Sequence, residues 1–541
     1  MRRSLLLCPI FAILGAAILA SAALAAPPKV DYLFPAGGQQ GQTVTVTASG
    51  TFGAWPVKTW VDREGLTVEA TEKKGELKVT IAPTAAGVYW LRLYDVEGAS
   101  SPRPFVVGAL PEVNDAEPND DPQKPQTLEG SVTVNGKLSK RGDVDSYAVQ
   151  LKEGQTLVAS LMANEVLGSP MDGVLQVCNA RGDVFAQNDD ERGLDSFLTF
   201  TAPRDGAYLV RTFAFPATPD SSISFAGAET YVYRLTITTG PYLDYTFPLA
   251  AHADESTELR LFGWNIPSEL TTMPAPPGGE QESLVISLSE GAGVVELPVQ
   301  RRPLIVATDE NSDKAPQIVA LPAVISGRIE SPRDQDAFRF PAVKGQKVSL
   351  RVESRSLGFP LDPLLIVTDS EGKVLAEADD AGNQRDPTVS FAPPADGEYV
   401  AIVRDVHHHG GPRYAYRLTI EPETPDFRLT LAADAFVATP GQSLEIPVTV
   451  ERRNGFKGEV EVTAEGLPSG LTASTVKSLP EGETAKEVKL VLSAEAGASA
   501  GPFVIVGKSG DGDSLRRVAT FAPSGLNAKH TQAWVTVAEA K

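Results

Sequence analysis

The sequence predicts an all-β protein made of tandem β-sandwich modules. Runs such as QTVTVTAS (42–49), ELKVTIAP (76–83) and YVYRLTIT (231–238) alternate apolar with polar residues and are rich in Val and Thr, as half-buried strands are. Almost no segment repeats its apolar residues with the 3.6-residue period of a helix. Turn signals recur about every ten residues, which favours sandwiches over barrels that include helices.

The first 25 residues have the layout of a secretory signal. Two arginines precede a long apolar run that ends in the small residues Ala23-Leu24-Ala25. We expect cleavage after Ala25, because this ending and the following Pro27-Pro28 argue against the alternative, an uncleaved membrane anchor. The mature chain is therefore expected to be secreted to the periplasm, the cell surface or the exterior, without membrane insertion.

The remaining 516 residues are strongly acidic. They carry 46 basic and 69 acidic side chains, a net charge of −23. This charge argues against nucleic acid and anionic membrane surfaces as partners. Cys178 is the single cysteine left, so no disulfide can form within the chain, and we expect it to be a small core residue. Hydrophobic cores and bound cations must then provide the stability.

Two stretches of the chain are copies of one module. GDVDSYAVQLKEGQ (142–155) and RDQDAFRFPAVKGQ (333–346) both place two aspartates one residue apart, then an aromatic residue, then Gly-Gln. Both copies end alike, in YVYRLTI (231–237) and YAYRLTI (414–420). Such self-similarity over about 100 residues indicates an internal repeat.

The other segments also pair, so that the mature chain reads A-B-A′-B′-C. The stretch at 30–52 resembles that at 242–265, and each lies just upstream of a repeat. We place the boundaries in turn-rich stretches. The predicted units are the signal (1–25), A (26–109), B (110–240), A′ (241–307), B′ (308–422) and C (423–541).

A second repeated sequence pattern predicts buried tyrosines. The stretches at 82–89, 202–208 and 392–399 each read Ala-Pro, a short turn, Gly-x-Tyr, and then an apolar strand. This pattern suits a tyrosine corner, in which the phenol bonds back to the backbone of a loop while the ring enters the core. Tyr89, Tyr208 and Tyr399 are therefore expected to be structural, and ligand binding is the alternative.

Units B and B′ resemble the bacterial pre-peptidase C-terminal domain, which is related to the collagen-binding domain of bacterial collagenases. The resemblance implies jelly-roll-like β-sandwiches that often bind calcium and accompany secreted hydrolases. The matching elements are EPND (117–120), GKLSKRGDVDSY (136–147), KEGQ (152–155) and APRDGAYLVR (202–211) in B, and GRIESPRDQDAF (327–338), KGQ (344–346) and APPADGEYVAIVR (392–404) in B′.

The remaining units look like immunoglobulin-like modules. Unit A resembles an IPT/TIG domain through FPAGGQQGQTVTVTASGTF (34–52), and A′ fits less well because PAPPGGEQES (274–283) interrupts it. Unit C, with GFKGEVEVTAEGLPSGLTAS (455–474), is similar to immunoglobulin-like modules of bacterial secreted proteins.

The paired aspartates of the repeat are candidate metal ligands. On one strand, Asp143, Asp145 and Tyr147 point to the same face. Bare carboxylates at core depth would cost several kcal/mol each, so we expect both aspartates at the open end of the strand, where they meet water or share a cation. The alternative is that such Asp-x-Asp and Asn-Asp runs only form turns on an acidic surface.

Calcium is the cation that these residue types favour. It takes about six to eight oxygen ligands, and no histidine or cysteine joins the set to favour a softer metal. The ligands predicted in B are Glu117, Asn119, Asp120, Asp143 and Asp145. The corresponding set in B′, where the spacing differs and calcium and turn formation remain equally open, is Glu310, Asn311, Asp313, Asp334 and Asp336.

No pattern in the sequence predicts a catalytic site. Neighbouring carboxylates in an open loop rarely receive the burial that acid/base catalysis requires. Histidines are few, and HHHGGP (407–412) is expected to be a solvated hairpin loop, with an adventitious transition-metal site as the alternative. The tetrapeptide GDSL (512–515) matches a lipase signature by chance, and the acidic loops at 188–195 and 379–386 are expected to be solvated turns.

The sequence thus predicts a secreted, non-catalytic, calcium-stabilised binding or structural protein of the cell envelope or exterior. Its expected partners are an extracellular protein matrix or polysaccharide. The runner-up is an accessory or targeting subunit of a separate secreted hydrolase. A hydrolase in its own right is the third possibility.

Overall fold

Strands form almost all of the regular structure in the computed structural model, which describes residues 26–219, 221, 224–382, 384–510, 515–526 and 528–538. The predicted all-β fold class is confirmed. The described part contains two short 3₁₀ turns, Ser268–Leu270 and Arg355–Leu357, and no helix that is long and apolar enough to cross a membrane. The predicted signal and Ser514 of the GDSL stretch lie outside the described residues.

Unit A is a sandwich of two four-stranded sheets, ordered β1-β3-β6-β5 and β2-β8-β7-β4. Their apolar inner faces meet in one core, in which Val46, Leu77 and Phe105 are fully buried. Its strands are β1 (Lys29–Phe34), β2 (Gly37–Gln39), β3 (Thr43–Thr51), β4 (Lys58–Val61), β5 (Leu66–Ala70), β6 (Glu76–Ile81), β7 (Gly87–Tyr94) and β8 (Arg103–Gly108).

Unit B pairs two five-stranded sheets, ordered β10-β12-β17-β14-β15 and β16-β13-β18-β11-β9. Tyr147 and Tyr233 meet at the centre of its core. Cys178 is buried at the end of β14 but is not among the residues of this core cluster. Its strands are β9 (Glu112–Asn114), β10 (Gln126–Thr127), β11 (Val132–Lys137), β12 (Asp145–Leu151), β13 (Thr156–Met162), β14 (Met171–Cys178), β15 (Val184–Asn188), β16 (Phe197–Thr201), β17 (Gly206–Pro216) and β18 (Val232–Thr238).

Unit A′ is smaller, with two three-stranded sheets ordered β19-β21-β22 and β20-β24-β23. Leu259 and Leu297 lie in its core. Its strands are β19 (Tyr242–Phe247), β20 (Ala251–His252), β21 (Thr257–Trp264), β22 (Thr272–Ala275), β23 (Ser283–Ser287) and β24 (Val294–Gln300).

Unit B′ repeats the topology of B strand for strand, with sheets ordered β26-β28-β33-β30-β31 and β32-β29-β34-β27-β25. Strand β25 precedes the boundary that we predicted after residue 307, yet it pairs with β27 and so belongs to B′. The boundary was misplaced because the turn-rich stretch used to set it follows β25 instead of preceding it. The strands are β25 (Leu304–Val306), β26 (Gln317–Ile318), β27 (Ala323–Arg328), β28 (Gln335–Ala342), β29 (Val348–Glu353), β30 (Pro363–Asp369), β31 (Val374–Ala378), β32 (Thr388–Phe391), β33 (Gly397–Asp405) and β34 (Ala415–Pro422).

Unit C is a sandwich of sheets β35-β37-β41-β39 and β36-β44-β42-β38-β40, and β43 pairs with β42. In β37 the inward Ile446, Val448 and Val450 alternate with exposed residues, the period-2 pattern of a half-buried strand. The strands are β35 (Asp426–Thr430), β36 (Ala435–Ala438), β37 (Ser443–Arg453), β38 (Val460–Glu465), β39 (Leu471–Ala473), β40 (Val476–Ser478), β41 (Glu487–Ala494), β42 (Gly501–Ser509), β43 (Leu515–Val518) and β44 (Ala533–Val537).

The predicted tyrosine corners are present in both repeats. The Tyr208 hydroxyl donates to the carbonyl oxygen of Arg204 at 3.0 Å, and the Tyr399 hydroxyl donates to that of Ala395 at 2.7 Å. Tyr89 is also buried, and its hydroxyl lies so close to Gly65 that a Cβ there would approach it to 2.4 Å. All three tyrosines are therefore packing residues.

Neighbouring units are joined by polar and aromatic contacts, and the last unit packs on the first. Arg192 of B binds Asp244 of A′, while Tyr245 and Phe247 of A′ pack in one apolar cluster with Phe359 of B′. Unit C returns to unit A, 342 residues back along the chain, through an ion pair of 2.9 Å between Asp434 and the buried Arg92. Trp534 of C contacts Trp60 and Tyr94 of A. These contacts bring parts of all five units to one central region.

Candidate metal centre

The predicted ligand loop of unit B is held over the start of β12. The Gln126 side chain accepts a hydrogen bond from the amide of Ala116 and donates one to the carbonyl of Asn114, which fixes the entry of the loop. At its far end, Asp120 accepts a bond of 3.3 Å from the amide of Val144. The acidic loop is thereby brought against the Asp-x-Asp stretch of the strand.

Four carboxylates meet at this point. Ligand oxygens of Glu117, Asp120, Asp143 and Asp145 all lie within 4.8 Å of one another. The side chain of Asn119 is buried beside them, and its backbone amide donates to Glu117 at 3.1 Å. The structure therefore brings together the five side chains that the sequence singled out in this unit.

The two strand aspartates lie at the end of the strand, as expected, with Asp145 the first residue of β12 and Asp143 just before it. Neither meets water there, because both are completely buried. Asp145 is tolerated at this depth because it shares a hydrogen bond with Tyr233, whose hydroxyl oxygen lies 2.5 Å from that of Tyr147. Tyr147 in turn donates to Asp115 at 2.8 Å.

Asp115 and Tyr233 were missed by the sequence analysis. Asp115 lies in the stretch assigned to a domain boundary, and Tyr233 lies in the stretch that marks the end of the repeat. Asp115 also accepts a bond of 2.7 Å from the Asn119 side-chain amide, so it orients a predicted ligand. The recurring tyrosine of YVYRLTI and YAYRLTI was the available signal, since a polar aromatic at a core position needs a buried partner.

Several oxygens in the cluster have no hydrogen-bond partner. These buried atoms are Asn119 Oδ1, Asp143 Oδ1 and Asp145 Oδ1. Burial and, to a smaller extent, the nearby charge of Asp115 raise the pKa of Asp145 to about 9. Lys140 is the nearby cation, with Nζ 3.1 Å from Asp120 and 3.5 Å from Asp143. One exposed ammonium leaves most of this negative charge uncompensated.

The donor set suits a hard divalent cation. It consists of carboxylate oxygens and one amide oxygen, which are the ligands that calcium takes, and three of its oxygens are buried without a hydrogen-bond donor. The spacing of the ligands along the chain is unlike that of an EF-hand loop.

Hydrogen bonds in B′ fix the register between the two copies. Gln317 donates to the carbonyl of Val306 at 3.1 Å and accepts from the amide of Thr308 at 3.0 Å, as Gln126 does in B. Counting from these anchors aligns Asn311 with Asn119.

This register changes the second ligand set. It aligns Asp309, rather than the predicted Glu310, with Glu117, and it places Ser312 where B has Asp120. Among the described residues, the predicted carboxylates of B′ do not form a group like that of B. Glu310 and Asp313 are exposed. The alignment from sequence was wrong in this loop because B′ has one residue fewer than B between the loop and the next strand, β26.

The other predicted ligand oxygens of B′ form hydrogen bonds within the fold. Asn311 Oδ1 accepts a bond of 2.8 Å from the amide of Ala337, and Asp334 accepts bonds from Glu330 and Gln335. Asp336 accepts a hydrogen bond of 2.5 Å from the hydroxyl of Tyr416, and Asp145 is bonded to Tyr233 at the same position in B.

Two further substitutions fit this simpler arrangement. Ala307 and Phe338 occupy the positions of Asp115 and Tyr147 in B. Unit B′ therefore has one hydrogen-bonded pair, Asp336 and Tyr416, where B has a chain of four hydrogen-bonded side chains. Burial raises the pKa of Asp336 to about 7, less than that of its counterpart in B.

The described histidines contact carboxylates, backbone groups and aromatic rings. His252 Nδ1 accepts from the amide of Asp254, and the exposed His407 lies 3.5 Å from Asp362. The loop of His407 is not the predicted hairpin, because it crosses from β33 in one sheet of B′ to β34 in the other. His530 packs edge-on against Trp90.

Comparisons with known proteins agree with the resemblance seen in the repeats. Residues 334–405, within B′, match the bacterial pre-peptidase C-terminal domain family, and B has the topology of B′. The chain is similar to a probable subtilase-type serine protease of Deinococcus radiodurans, with 24% identity over 337 residues that cover 56% of this chain. It spans 39% of the length of that relative.

Solved structures with similar parts have low overall scores. The pre-peptidase C-terminal domain of a Bacillus anthracis collagenase is 15% identical, covers 21% of this chain and is itself covered completely, with a TM-score of 0.16. Immunoglobulin domains 1–4 of Sidekick-1 are 12% identical and cover 93% of this chain, with 96% of their own length matched and a TM-score of 0.20.

Proposed function

We propose that this chain is a secreted, non-catalytic binding or structural protein of the cell envelope or exterior, and that calcium stabilises its unit B. The observation that carries the calcium part is the group of four carboxylates with buried, unpartnered oxygens. A divalent cation there would relieve their mutual repulsion and satisfy oxygens that otherwise have no partner.

The binding part of the proposal is supported by the kinds of module present. The matched family and the sandwich units are non-catalytic modules. Functional surfaces of such sandwiches lie on loops and exposed strands held by a rigid scaffold. An extracellular protein matrix or polysaccharide is the proposed partner, consistent with a strongly acidic chain that carries a secretory signal pattern.

A second candidate is an accessory or targeting subunit of a separate secreted hydrolase. The similarity to part of a subtilase-type protease favours it. In this case the chain would bind the hydrolase rather than the matrix. A hydrolase activity of its own is the least supported of the three functions.

Calorimetric calcium titration of the mature chain tests the metal site. We expect one calcium per chain, with weaker binding in Glu117→Gln, which removes an exposed ligand charge without leaving a buried group unpaired. Asp121→Asn is the matched control, since Asp121 is exposed next to Asp120 and outside the cluster. Equal binding by both variants would contradict the assignment.

The partner is tested separately. The mature chain is incubated with matrix-protein films, with insoluble polysaccharides and with a culture supernatant that contains secreted hydrolases. Retention on a film or polysaccharide supports the first function. Capture of an active hydrolase, without retention on either material, supports the second.

A further inference from the structure

A large cavity lies where the five units meet. Its volume is about 1040 Å³, and each of the units A, B, A′, B′ and C contributes residues to its lining. Ligand pockets of about 300–1,000 Å³ occur preferentially at such domain junctions. The cavity lies away from the carboxylate cluster of unit B, because none of those four carboxylates lines it.

One wall is the outer face of the sheet β2-β8-β7-β4 in unit A. Trp60 and Arg92 are directly paired across β4 and β7. Just beyond β4, the amide of Asp62 donates to the carbonyl of Trp90 at 3.1 Å, and the amide of Trp90 donates to the Asp62 carboxylate at 2.9 Å. Side chains two residues apart on a strand share a face. Two indoles therefore alternate with a carboxylate and a guanidinium on this wall.

Contacts with unit C fix the two indole rings. Trp60 meets Trp534 edge-on at 5.7 Å between ring centroids, and Trp90 meets His530 at 4.3 Å. Arg92 is engaged by Asp434. The rings are thereby held at the cavity wall in a defined orientation, with part of their surface left open.

A carboxylate of unit A′ faces this wall. Glu296 lies on β24, whose neighbour β23 contacts unit A where Val285 packs beside Gly87. Glu296 keeps exposed surface in the cavity, yet the surrounding units desolvate it, which raises its pKa. Desolvation also raises the pKa of Asp62.

The rest of the lining combines apolar residues, charged residues of both signs and neutral residues that can form hydrogen bonds. It includes the side chains of Gln40, Thr133, Ser160, Ser287, Thr531 and Gln532. These groups come from A, B, A′ and C, so a ligand that spans the cavity would find hydrogen-bond partners along its length.

We propose that this cavity binds a neutral oligosaccharide. A pyranose ring has apolar C–H faces that pack on indole rings and a rim of hydroxyl groups that donate to carboxylates and amides. An apolar ligand would leave the carboxylate of Glu296 desolvated without a partner. The six acidic and five basic residues of the lining nearly balance, so the cavity carries little net charge to select an ionic ligand. A single ammonium group would fill little of the volume. The inference deepens the proposed function, on which it rests, by naming the class of ligand.

The test is calorimetric titration of the mature chain with neutral oligosaccharide series built from glucose, xylose and N-acetylglucosamine. Affinity should increase from the disaccharide to a chain that fills the cavity and then level off. Tryptophan fluorescence should change in parallel, because Trp60 and Trp90 line the cavity.

Two variants and two controls locate the site. Asp62→Asn and Glu296→Gln should each weaken binding by about tenfold or more, the cost of losing a hydrogen bond to a charged acceptor. The exposed acidic residues Glu64 and Glu290 lie near them outside the lining, so Glu64→Gln and Glu290→Gln should bind as the parent does. Glu296→Gln keeps the test usable if Asp62→Asn fails to fold, because Glu296 retains exposed surface.

The outcomes separate this inference from the proposed function. Oligosaccharide binding that the two cavity variants leave unchanged would overturn the inference while the proposed function stands. Binding only of amines, weakened in these variants, would overturn it in favour of a cation site. Retention on protein films without binding of any oligosaccharide would also overturn it and leave the proposed function intact.

Discussion

Protonation of His530 should loosen the contact between units A and C in mild acid. The imidazole packs against Trp90 of unit A and Phe521 of its own unit. Burial and, to a smaller extent, the positive charge of Arg92 lower its pKa to about 4, against the opposing effect of Asp434. The folded chain therefore binds a proton at His530 more weakly than the unfolded chain, in which histidine has a pKa of about 6.5.

The sign and the size of the effect follow from this difference. A folded-state pKa below the unfolded one means that the unfolded state takes up more protons between about pH 6.5 and pH 4, so stability falls as the pH is lowered through this window. The full shift corresponds to about 3.4 kcal/mol at 1.36 kcal/mol per unit. Because the ring keeps part of its surface exposed, screening by solvent reduces this to about 1–2 kcal/mol.

The assay is calorimetric unfolding of the mature chain from pH 7.5 to pH 4.5, beside His530→Gln. Other groups titrate in this range, so the readout is the difference between the two proteins, in which the contributions of distant groups cancel. The transition of units A and C should shift down with acid more in the parent than in the variant. Parallel shifts in both proteins would refute the reasoning, because no proton uptake would then be linked to His530.

Three further predictions concern the repeats and activity. Tyr208→Ala should cost about 3–5 kcal/mol in unit B, while Tyr208→Phe, which removes only the hydroxyl bond to Arg204, should cost about 1 kcal/mol; equal melting of parent and alanine variant would exclude the corner. Millimolar calcium should stabilise unit B by about 1 kcal/mol if its Kd is near 10⁻⁴–10⁻³ M, and by less in Glu117→Gln. Equal stability of unit B in calcium and in chelator would show that no calcium binds at this site. The mature chain should not turn over casein or ester substrates, and turnover abolished by Ser514→Ala would reverse this assignment.

The sequence was sufficient to predict strands and repeated modules. In β37 the alternation of Ile446, Val448 and Val450 with exposed residues is a property of neighbouring positions, so it is visible without the fold. The twin stretches likewise predicted two units of one kind, and both have the same strand order. The boundary after residue 307 failed for β25 because ladder pairing with β27, rather than local composition, decides which unit a strand joins.

The candidate site was predictable in composition but not in environment. The residue types were sufficient to identify Glu117, Asn119, Asp120 and the two strand aspartates as candidate ligands, because clusters of side-chain oxygens favour calcium wherever they occur. Their burial could not be inferred, since it depends on Tyr233, 88 residues beyond Asp145. In B′ the register was visible only from the hydrogen bonds that the Gln317 side chain makes to the backbone, so the sequence analysis chose Glu310 in place of Asp309.

The sequence by itself determined the strands, the duplicated unit and the acidic ligand types, because each is encoded by residues close together in the chain. Only the tertiary structure decided that unit C packs on unit A through Arg92 and Asp434, and that five units enclose a cavity lined by Trp60, Asp62 and Glu296. Those groups are separated by up to hundreds of residues. Their contacts depend on how whole sandwiches pack against one another, and no local pattern of hydrophobicity or turns carries that information.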